Sequence, residues 1–343
     1  MINLLKKDKE LWDLFTRREE YDPIFLDQYD RFPYSLSSHR NVLDPKVSKF
    51  LLENNLEIEY PEEKKFAVCM THDIDNVYYS RLRVIYSSFK YLQKLQIKNA
   101  MRMVFNNTHK KWNVLWNFND IMNIEKKYEA KSSFFFLALK EDEQDFRYRI
   151  ENLEYEIGNI VDNGFEVCLH GGQSAYNDLD VIIEEKQRLE KISGERIIGY
   201  RNHYVMFKVP DTWEMLSKAG FEYDATFGYA DMVGFRNGMC HPYFPFNLIT
   251  NKEINILEIP LNIMDTTFDE YLPFDINGQW EIIKYLIDTV EKYNGVISII
   301  WHNENMIGDK LKLFEKILDY CYKKNAWITS GEEIWNFWKN TYG

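Results

Sequence analysis

The stretch Phe66-Ala67-Val68-Cys69-Met70-Thr71-His72-Asp73-Ile74-Asp75 decides how the chain is interpreted. Its first half is a short apolar run, which is typical of a strand buried on both faces of a sheet. Its second half is polar and contains a histidine and two carboxylates. In α/β proteins with parallel strands, chemistry gathers on the loops that follow the strands. The stretch therefore predicts a buried strand that ends in functional residues.

Similar apolar runs recur along the chain and alternate with helical segments. The predicted strands lie at 66–70, 133–138, 165–169, 197–200, 256–259, 295–301 and 326–329, and the helices between them include 178–192, 212–219 and 311–324. This alternation predicts βα units and a parallel sheet of the α/β class, and about seven such units can close into a barrel.

Two segments fall outside this pattern. Residues 1–65 are polar and turn-rich, and we interpret them as an N-terminal extension packed on the main domain. Residues 66–343 then form the barrel domain. Within it, residues 78 to about 128 are basic and helical in period, which predicts a helical insertion.

Composition limits the possible functions. The 343 residues are 45% hydrophobic and 28% charged, as in soluble globular proteins, and the net charge is −12. Such a surface repels phosphate backbones, so we expect no nucleic-acid partner. No apolar run reaches the ~18 residues of a membrane span, and the first residues have no apolar signal core. The four cysteines are scattered, and we interpret them as reduced thiols. Together with the lack of an apolar span and of a signal core, they predict a cytoplasmic protein.

Histidines concentrate at the ends of the predicted strands. His72, His170, His203 and His302 lie at or just after four of them, whereas the other three histidines (His39, His109 and His241) lie elsewhere. Because the carboxyl ends of parallel strands share one edge of a sheet, these side chains are expected to meet. Each feature alone is more often a turn cap, a structural histidine or an ion pair. Their joint placement at strand ends favours a functional site.

The residue types at these strand ends suit metal-assisted hydrolysis. Carboxylate and imidazole groups bind Zn²⁺ and similar divalent ions. Of Asp73 and Asp75, one can bind the metal while the other acts as base on water. His302 can then protonate a leaving group as general acid. This set is sufficient to hydrolyse an amide or an ester.

Four segments, taken in order, resemble the motifs of the polysaccharide deacetylase family with the NodB-homology domain. They are Thr71-His72-Asp73-Ile74-Asp75, Leu169-His170, Tyr200-Arg201 and Trp301-His302. The similarity covers roughly residues 66 to 335 and is greatest to a bacterial subgroup with a THD-x-D opening motif. The resemblance implies a distorted (β/α)7 barrel and metal-dependent removal of acetyl groups from N-acetylated sugars.

The resemblance also implies roles for individual residues. Asp73 corresponds to the catalytic base, Arg201 to the arginine that orients this base, and His302 to the general acid. Asp75 and His170 correspond to metal ligands, and the cofactor implied is a divalent ion, with zinc as the first choice.

The chain departs from the family pattern at Ser174. The common motif has a second histidine four residues after the first, but here that position is a serine, which is a poor zinc ligand. His203 is our candidate for the third ligand because it follows a neighbouring strand. Glu304 and Asp265 are lesser candidates.

The main functional prediction is a metal-dependent hydrolase of an N-acetylated sugar, which could be a glycan, a lipid-linked precursor or a nucleotide sugar. Two alternatives remain: a non-catalytic carbohydrate-binding barrel that has lost its metal, and a hydrolase of a non-sugar C–N amide bond. We expect substrate contacts at the barrel mouth from four residues: Tyr204, Asp224, Arg236 and Trp301.

Overall fold

The computed structural model describes residues 1–79, 81–93, 95, 97–105, 110 and 113–342. His109 and parts of the predicted insertion lie outside the described residues. The strands are β1 Ala67–Ile74, β2 Ser133–Leu137, β3 Glu166–Gly171, β4 Gly199–Asn202, β5 Tyr223–Asp224, β6 Phe246–Asn247, β7 Lys252–Glu253, β8 Leu257–Glu258, β9 Leu261–Met264, β10 Val296–Ile300 and β11 Trp327–Thr329.

Helices surround these strands and also form most of the regular structure before β1. The helices are α1 Ile2–Leu5, α2 Lys9–Thr16, α3 Lys46–Glu53, α4 Arg81–Gln93, α5 Ile97–Phe105, α6 Phe118–Lys126, α7 Glu154–Asp162, α8 Leu179–Ser193, α9 Asp211–Lys218, α10 Asp265–Glu270, α11 Ile276–Lys292, α12 Gly308–Lys323 and α13 Gly331–Tyr342.

The main sheet is parallel, and one continuous segment connects its two edges. Its strands run in the order β8-β5-β4-β3-β2-β1-β10-β9, and β11 pairs with the first half of β1. The edge strands β8 and β9 are consecutive in sequence. Between them, the Ile259 N–H donates to the Asp224 carbonyl at 2.9 Å, and the Leu261 N–H donates to the Phe227 carbonyl at 3.1 Å. The sheet thus curls into a distorted (β/α)7 barrel, which confirms the predicted fold.

Alternation along the strands separates an inner layer from an outer one. In β2, Phe135 packs inside the barrel with Cys69 and Tyr223. Its neighbours Phe134 and Phe136 pack instead with the helices outside. Because successive strand side chains point to opposite faces, a strand buried on both faces is apolar at every position. Strands β5, β6, β7 and β9 were not predicted. The first three have only two residues each, and the polar Asn262 interrupts the apolar run of β9.

Helix α6 is an ordinary barrel helix rather than part of an insertion. Its Ile121 and Met122 are buried with Phe134 and Phe136 of β2. The predicted insertion at 78–128 therefore contains two additional helices, α4 and α5, which pack against each other. Within the described residues, no helix is long and apolar enough to cross a membrane.

Buried charges connect the N-terminal segment to the barrel domain. Glu20 accepts from Arg236 at 3.0 Å (Nε to Oε1) and 2.6 Å (Nη2 to Oε2), and from Arg17 Nε at 2.6 Å. The side chains of all three are at most 3% exposed. Apolar contacts surround this cluster, among them Phe15 against Tyr243. Residues before β1 thus share a core with the barrel.

We expect Glu20→Gln to lower the free energy of unfolding by about 3–5 kcal/mol, since it leaves two buried guanidinium groups without their shared carboxylate. The urea midpoint of the purified protein measures the change. Glu222→Gln is the matched control, because its ion pair with Arg196 is largely exposed and is worth about 0–1 kcal/mol. Equal shifts for the two variants would contradict the structural importance of the Glu20 cluster.

Candidate metal centre and active site

Three of the predicted residues meet at the carboxyl edge of the sheet. Asp75 follows β1, His170 lies near the end of β3, and His203 follows β4. The His170 Nε2 lies 3.2 Å from Asp75 Oδ1, and the His203 Nε2 lies 3.6 Å from Asp75 Oδ2. One ligand atom from each residue lies within 4.8 Å of the other two. The predicted ligand residues are thus brought together, although they are distant in sequence.

The second nitrogen of each imidazole is held by a neighbour. His170 Nδ1 lies 3.1 Å from the Arg201 carbonyl, and His203 Nδ1 lies 3.1 Å from Asp145 Oδ2. Such partners fix the tautomer and the orientation of a ligating histidine. Both rings therefore direct Nε2 towards Asp75. Asp145 was not predicted, because it lies in the loop after β2 with no sequence motif around it.

The backbone at His203 bends sharply to bring the ring into place. Tyr204 has φ of 58°, in the left-handed region that side chains rarely adopt. Its ring stacks on His203 with centroids 4.0 Å apart, and its hydroxyl donates to Asp145 at 2.7 Å. Asp145 thus holds both the imidazole and the ring stacked on it. A strained residue held in this way is typical of functional sites.

The cluster fits a divalent cation. Among the described residues, the buried Asp75 Oδ1 and His170 Nε2 have no hydrogen-bond partner. A buried polar atom without a partner is costly, and a bound cation would satisfy both atoms. One carboxylate and two imidazoles form a typical catalytic zinc set, which leaves a position open. Ser174 is exposed, away from this cluster.

Electrostatics at the cluster follow from the close approach of rings and carboxylates. Burial favours a raised pKa for Asp75, but the charges of His203 and His302 and the close contact with His170 hold this pKa well below its usual range. Burial likewise acts to lower the pKa of His203, whereas Asp75 and Asp145 raise it to about 9. A cation that binds here replaces these protons, because ligating histidines must be neutral.

Beside the cluster, Asp73 is paired with Arg201. The Arg201 Nη1 donates to Asp73 Oδ1 at 2.7 Å and to Thr71 Oγ1 at 2.8 Å. Its Nε donates to the Ala225 carbonyl at 2.9 Å, and its guanidinium lies over the Phe135 ring. The guanidinium is fully buried inside the barrel. Asp73 is therefore held in one orientation.

His302 lies near Asp75 and is held by Asp265. Its Nδ1 lies 2.6 Å from Asp265 Oδ1, and its Nε2 lies 3.5 Å from Asp75 Oδ2. Burial acts to lower the pKa of His302, but Asp265, Asp75 and Asp73 raise it well above the usual value. The ring therefore carries a proton that it can donate. Asp265, a lesser ligand candidate from the sequence, instead lies behind His302, and Glu304 is not part of the ligand cluster.

His72 has a structural environment. Its Nδ1 lies 2.8 Å from the Trp301 carbonyl, and its Nε2 lies 3.0 Å from Glu125 Oε1 on α6. Strand alternation explains this, because His72 faces outward while Thr71 and Asp73 face Arg201 inside.

Of the four predicted substrate-contact residues, Tyr204 lies at the mouth and the other three do not. Trp301 packs outward on Phe314 of α12, since it alternates with the inward-facing His302. Asp224 also faces outward and accepts from Thr226 Oγ1 at 2.6 Å. Arg236 is buried against Glu20. The prediction that these three line the mouth is therefore wrong.

The mouth itself is narrow and is partly formed by the N-terminal segment. The cavity has a volume of about 90 Å³. It is lined by Asp73, Asp75, His170, Asn202, His203, Tyr204, Val205, Met264 and His302 together with Arg31, Thr266, Glu270 and Tyr271. Arg31 donates to the Tyr204 carbonyl at 2.8 Å and to the Tyr271 hydroxyl at 3.0 Å. It thus bridges the loop after β4 and the end of α10. No sequence motif marked Arg31.

Comparison with solved structures establishes the fold. The chain is similar to a Mycobacterium smegmatis protein designated a polysaccharide deacetylase, with a TM-score of 0.57 and 15% identity over 82% of this chain and 93% of that chain. The peptidoglycan deacetylase PdaC from Bacillus subtilis matches with a TM-score of 0.39 and 13% identity, over 82% of this chain and 94% of its own.

The CE4 family pseudoenzyme BA3943 from Bacillus anthracis matches with a TM-score of 0.41 and 11% identity, over 80% of this chain and 66% of its own. At these identities the likeness concerns the fold alone. No family model matches the chain. No curated protein matches it either.

We predict that His203→Ala weakens Zn²⁺ binding by more than about 100-fold, because loss of a ligand exceeds the 10–100-fold cost of losing a ligand's hydrogen-bond partner. Asp145→Asn should weaken Zn²⁺ binding by about 10–100-fold, because it removes the carboxylate that contacts the second nitrogen of His203. Competition with a chromophoric chelator measures both affinities. His39→Ala, remote from the cluster, should leave the affinity unchanged. An unaltered affinity in the His203 variant would remove it from the ligand set.

Proposed function

We propose that the protein is a metal-dependent hydrolase that removes the acetyl group from an N-acetylated sugar. The observation that carries this proposal is the arrangement of Asp73 and His302 around the Asp75–His170–His203 cluster. Asp73 Oδ2 lies 3.8 Å from His170 Nε2, and His302 Nε2 lies 3.5 Å from Asp75 Oδ2. A proton acceptor and a proton donor thus adjoin a site suited to a cation, as amide hydrolysis requires.

The metal is held by Asp75, His170 and His203 in this proposal, and zinc fits this donor set best. When bound, such an ion polarises a carbonyl oxygen and makes water more acidic. The chain's own residues carry the protons. Asp73 takes a proton from water as the oxygen adds to the acetyl carbon.

Arg201 keeps Asp73 fixed in orientation during this step. His302 then donates its proton to the sugar nitrogen, the C–N bond breaks, and acetate and a free amine result. Asp265 stabilises the protonated ring before this transfer. A protein that only binds sugars needs neither the acid nor the base, so their joint presence favours the enzyme over a binding barrel.

The small cavity limits how the substrate enters. Its 90 Å³ correspond to about three water molecules, far below the ~300 Å³ or more of sites that enclose a whole small-molecule ligand. It accommodates an acetamido group but not a sugar ring. We infer that the acetamido group enters while the sugar ring stays outside. Because the Arg31 bridge spans the mouth from Tyr204 to Tyr271, we also infer that a glycan extends away on one side only, which favours a terminal sugar.

Asp73→Asn should reduce the deacetylation rate by about 10²–10⁴-fold because the proton acceptor is lost. It should also retain the metal, because all three ligand residues remain. Acetate release and bound metal are measured on the same preparation. Loss of metal together with activity would instead indicate that Asp73 is a ligand.

His302→Ala should reduce amide hydrolysis by a similar factor but affect activated esters much less, since a good leaving group needs little protonation. The two substrate types are compared at saturating concentration. Equal losses on both would exclude the acid role and leave His302 as an orienting residue.

Arg31→Ala should open the mouth and change where acetyl groups are removed. We expect the unmodified protein to deacetylate only a terminal residue of an N-acetylglucosamine oligomer, and the variant to reach internal residues as well. Fragmentation mass spectrometry locates the free amines. Arg40→Ala is the control, because among the described residues the Arg40 side chain donates within its own segment, to the carbonyls of Tyr34 and Ser35. Internal deacetylation by the unmodified protein would contradict the terminal restriction.

A further inference from the structure

The segment between Asn76 and Asn119 has an unusual charge composition. It contains eight of the 42 Lys and Arg residues and none of the 54 Asp and Glu residues. The whole chain, by contrast, has a net charge of −12. A cationic segment in an acidic protein is a local feature that general solubility does not require. The catalytic scheme does not use it either.

The same segment exposes a large apolar surface. Of the 22 large hydrophobic residues that are exposed in the described chain, ten lie in the 24 residues from Leu82 to Phe105, and each of these is between 49% and 86% exposed. On α4 they recur at a spacing of three and four, which places them along one face of the helix. The α4 members are Leu82, Ile85, Tyr86, Phe89 and Leu92, Leu95 lies between the two helices, and the α5 members are Ile97, Met101, Val104 and Phe105.

Apolar exposure on this scale marks an interaction surface in a soluble domain. Lys90 illustrates how charge and apolar surface combine, since its ammonium lies 4.5 Å from the centre of the exposed Tyr86 ring. Long cationic side chains of this kind extend along apolar surface and keep their charge at the edge. Helices with apolar residues on one face and Lys or Arg on the other typically lie in the interface of a bilayer.

We propose that α4 and α5 form a docking surface for the anionic surface of a phospholipid bilayer. The hydrocarbon boundary accepts the apolar side chains, and anionic headgroups attract the eight Lys and Arg residues. The segment lacks the carboxylates that salt bridges to a basic protein partner would need. A second copy of the chain could offer its own α4 and α5 face, but a symmetric pairing would bring two cationic segments together without any carboxylate of either segment to offset their repulsion.

The position of this surface relates it to the catalytic site. Arg81 begins α4 only six residues after Asp75, and Val77 and Tyr79 between them are buried. The chain therefore leads directly from the proposed metal site into the proposed docking surface. If the proposed function holds, a sugar carried on a lipid anchor is the substrate that this arrangement favours. The docking itself does not depend on the reaction.

Vesicle co-sedimentation of the full chain tests the docking. We expect sedimentation with vesicles that contain phosphatidylglycerol and not with phosphatidylcholine alone, and we expect added salt to weaken it. The double variant Leu82→Ser and Phe89→Ser should lower the partition coefficient by about tenfold or more because it removes two exposed apolar anchors. The double control Tyr155→Ser and Ile249→Ser removes exposed apolar side chains elsewhere and should bind like the unmodified protein.

Lys90→Glu should also weaken sedimentation, whereas Lys312→Glu, at an exposed lysine of α12, should not. Absence of sedimentation with either vesicle, or equal loss in the variants and their controls, would overturn the proposal. A second result would also overturn the proposal: the protein dimerises without lipid, does not bind vesicles, and becomes monomeric in the Leu82 and Phe89 variant. The occupant of the surface would then be a second copy of the chain. Binding is measured without substrate, so failure of the proposed deacetylation leaves this result unaffected.

Discussion

The buried guanidinium of Arg201 connects most parts of the site. Its side chain donates hydrogen bonds to Thr71 and Asp73 of β1 and to the backbone carbonyl that follows β5. Its own backbone carbonyl is hydrogen-bonded to Nδ1 of His170 on β3. The proposed base and one proposed ligand are therefore positioned by a single residue of β4. A buried cation is tolerated only when it is well bonded, so the need to satisfy this charge also fixes the register of four strands. Stability and site geometry depend on the same contacts.

The fold and the centre of the site could be predicted because both follow from strand ends. Parallel strands bring their carboxyl ends to one edge, so Asp75, His170, His203 and His302 converge whatever the lengths of the connections between them. The errors concern which face a residue occupies. Trp301 follows the same strand as His302 but points outward, and strand alternation could have revealed this.

Other features had no signal in the sequence. Arg236 looked like a ligand-binding residue in a glycine-flanked segment, but it pairs with Glu20, which is 216 positions away. Asp145 and Arg31 lie in loops whose paths depend on tertiary contacts. Local periodicity does not encode such partners, because they are determined only when distant segments pack. Exposure of Ser174 together with burial of His203 explains how the cluster can form without the usual second histidine.

The pairing of Glu20 with Arg236 also has a consequence for biosynthesis. Glu20 leaves the ribosome well before Arg236, and at about 5–20 residues per second the 216 intervening positions take roughly ten to forty seconds to translate. During that interval the first helices have no barrel on which to pack, and their apolar residues remain accessible. The strand segment that closes the sheet is translated later still. The segment around Glu20 is therefore made before the part of the barrel that it packs on, and a chaperone would have this interval in which to bind it.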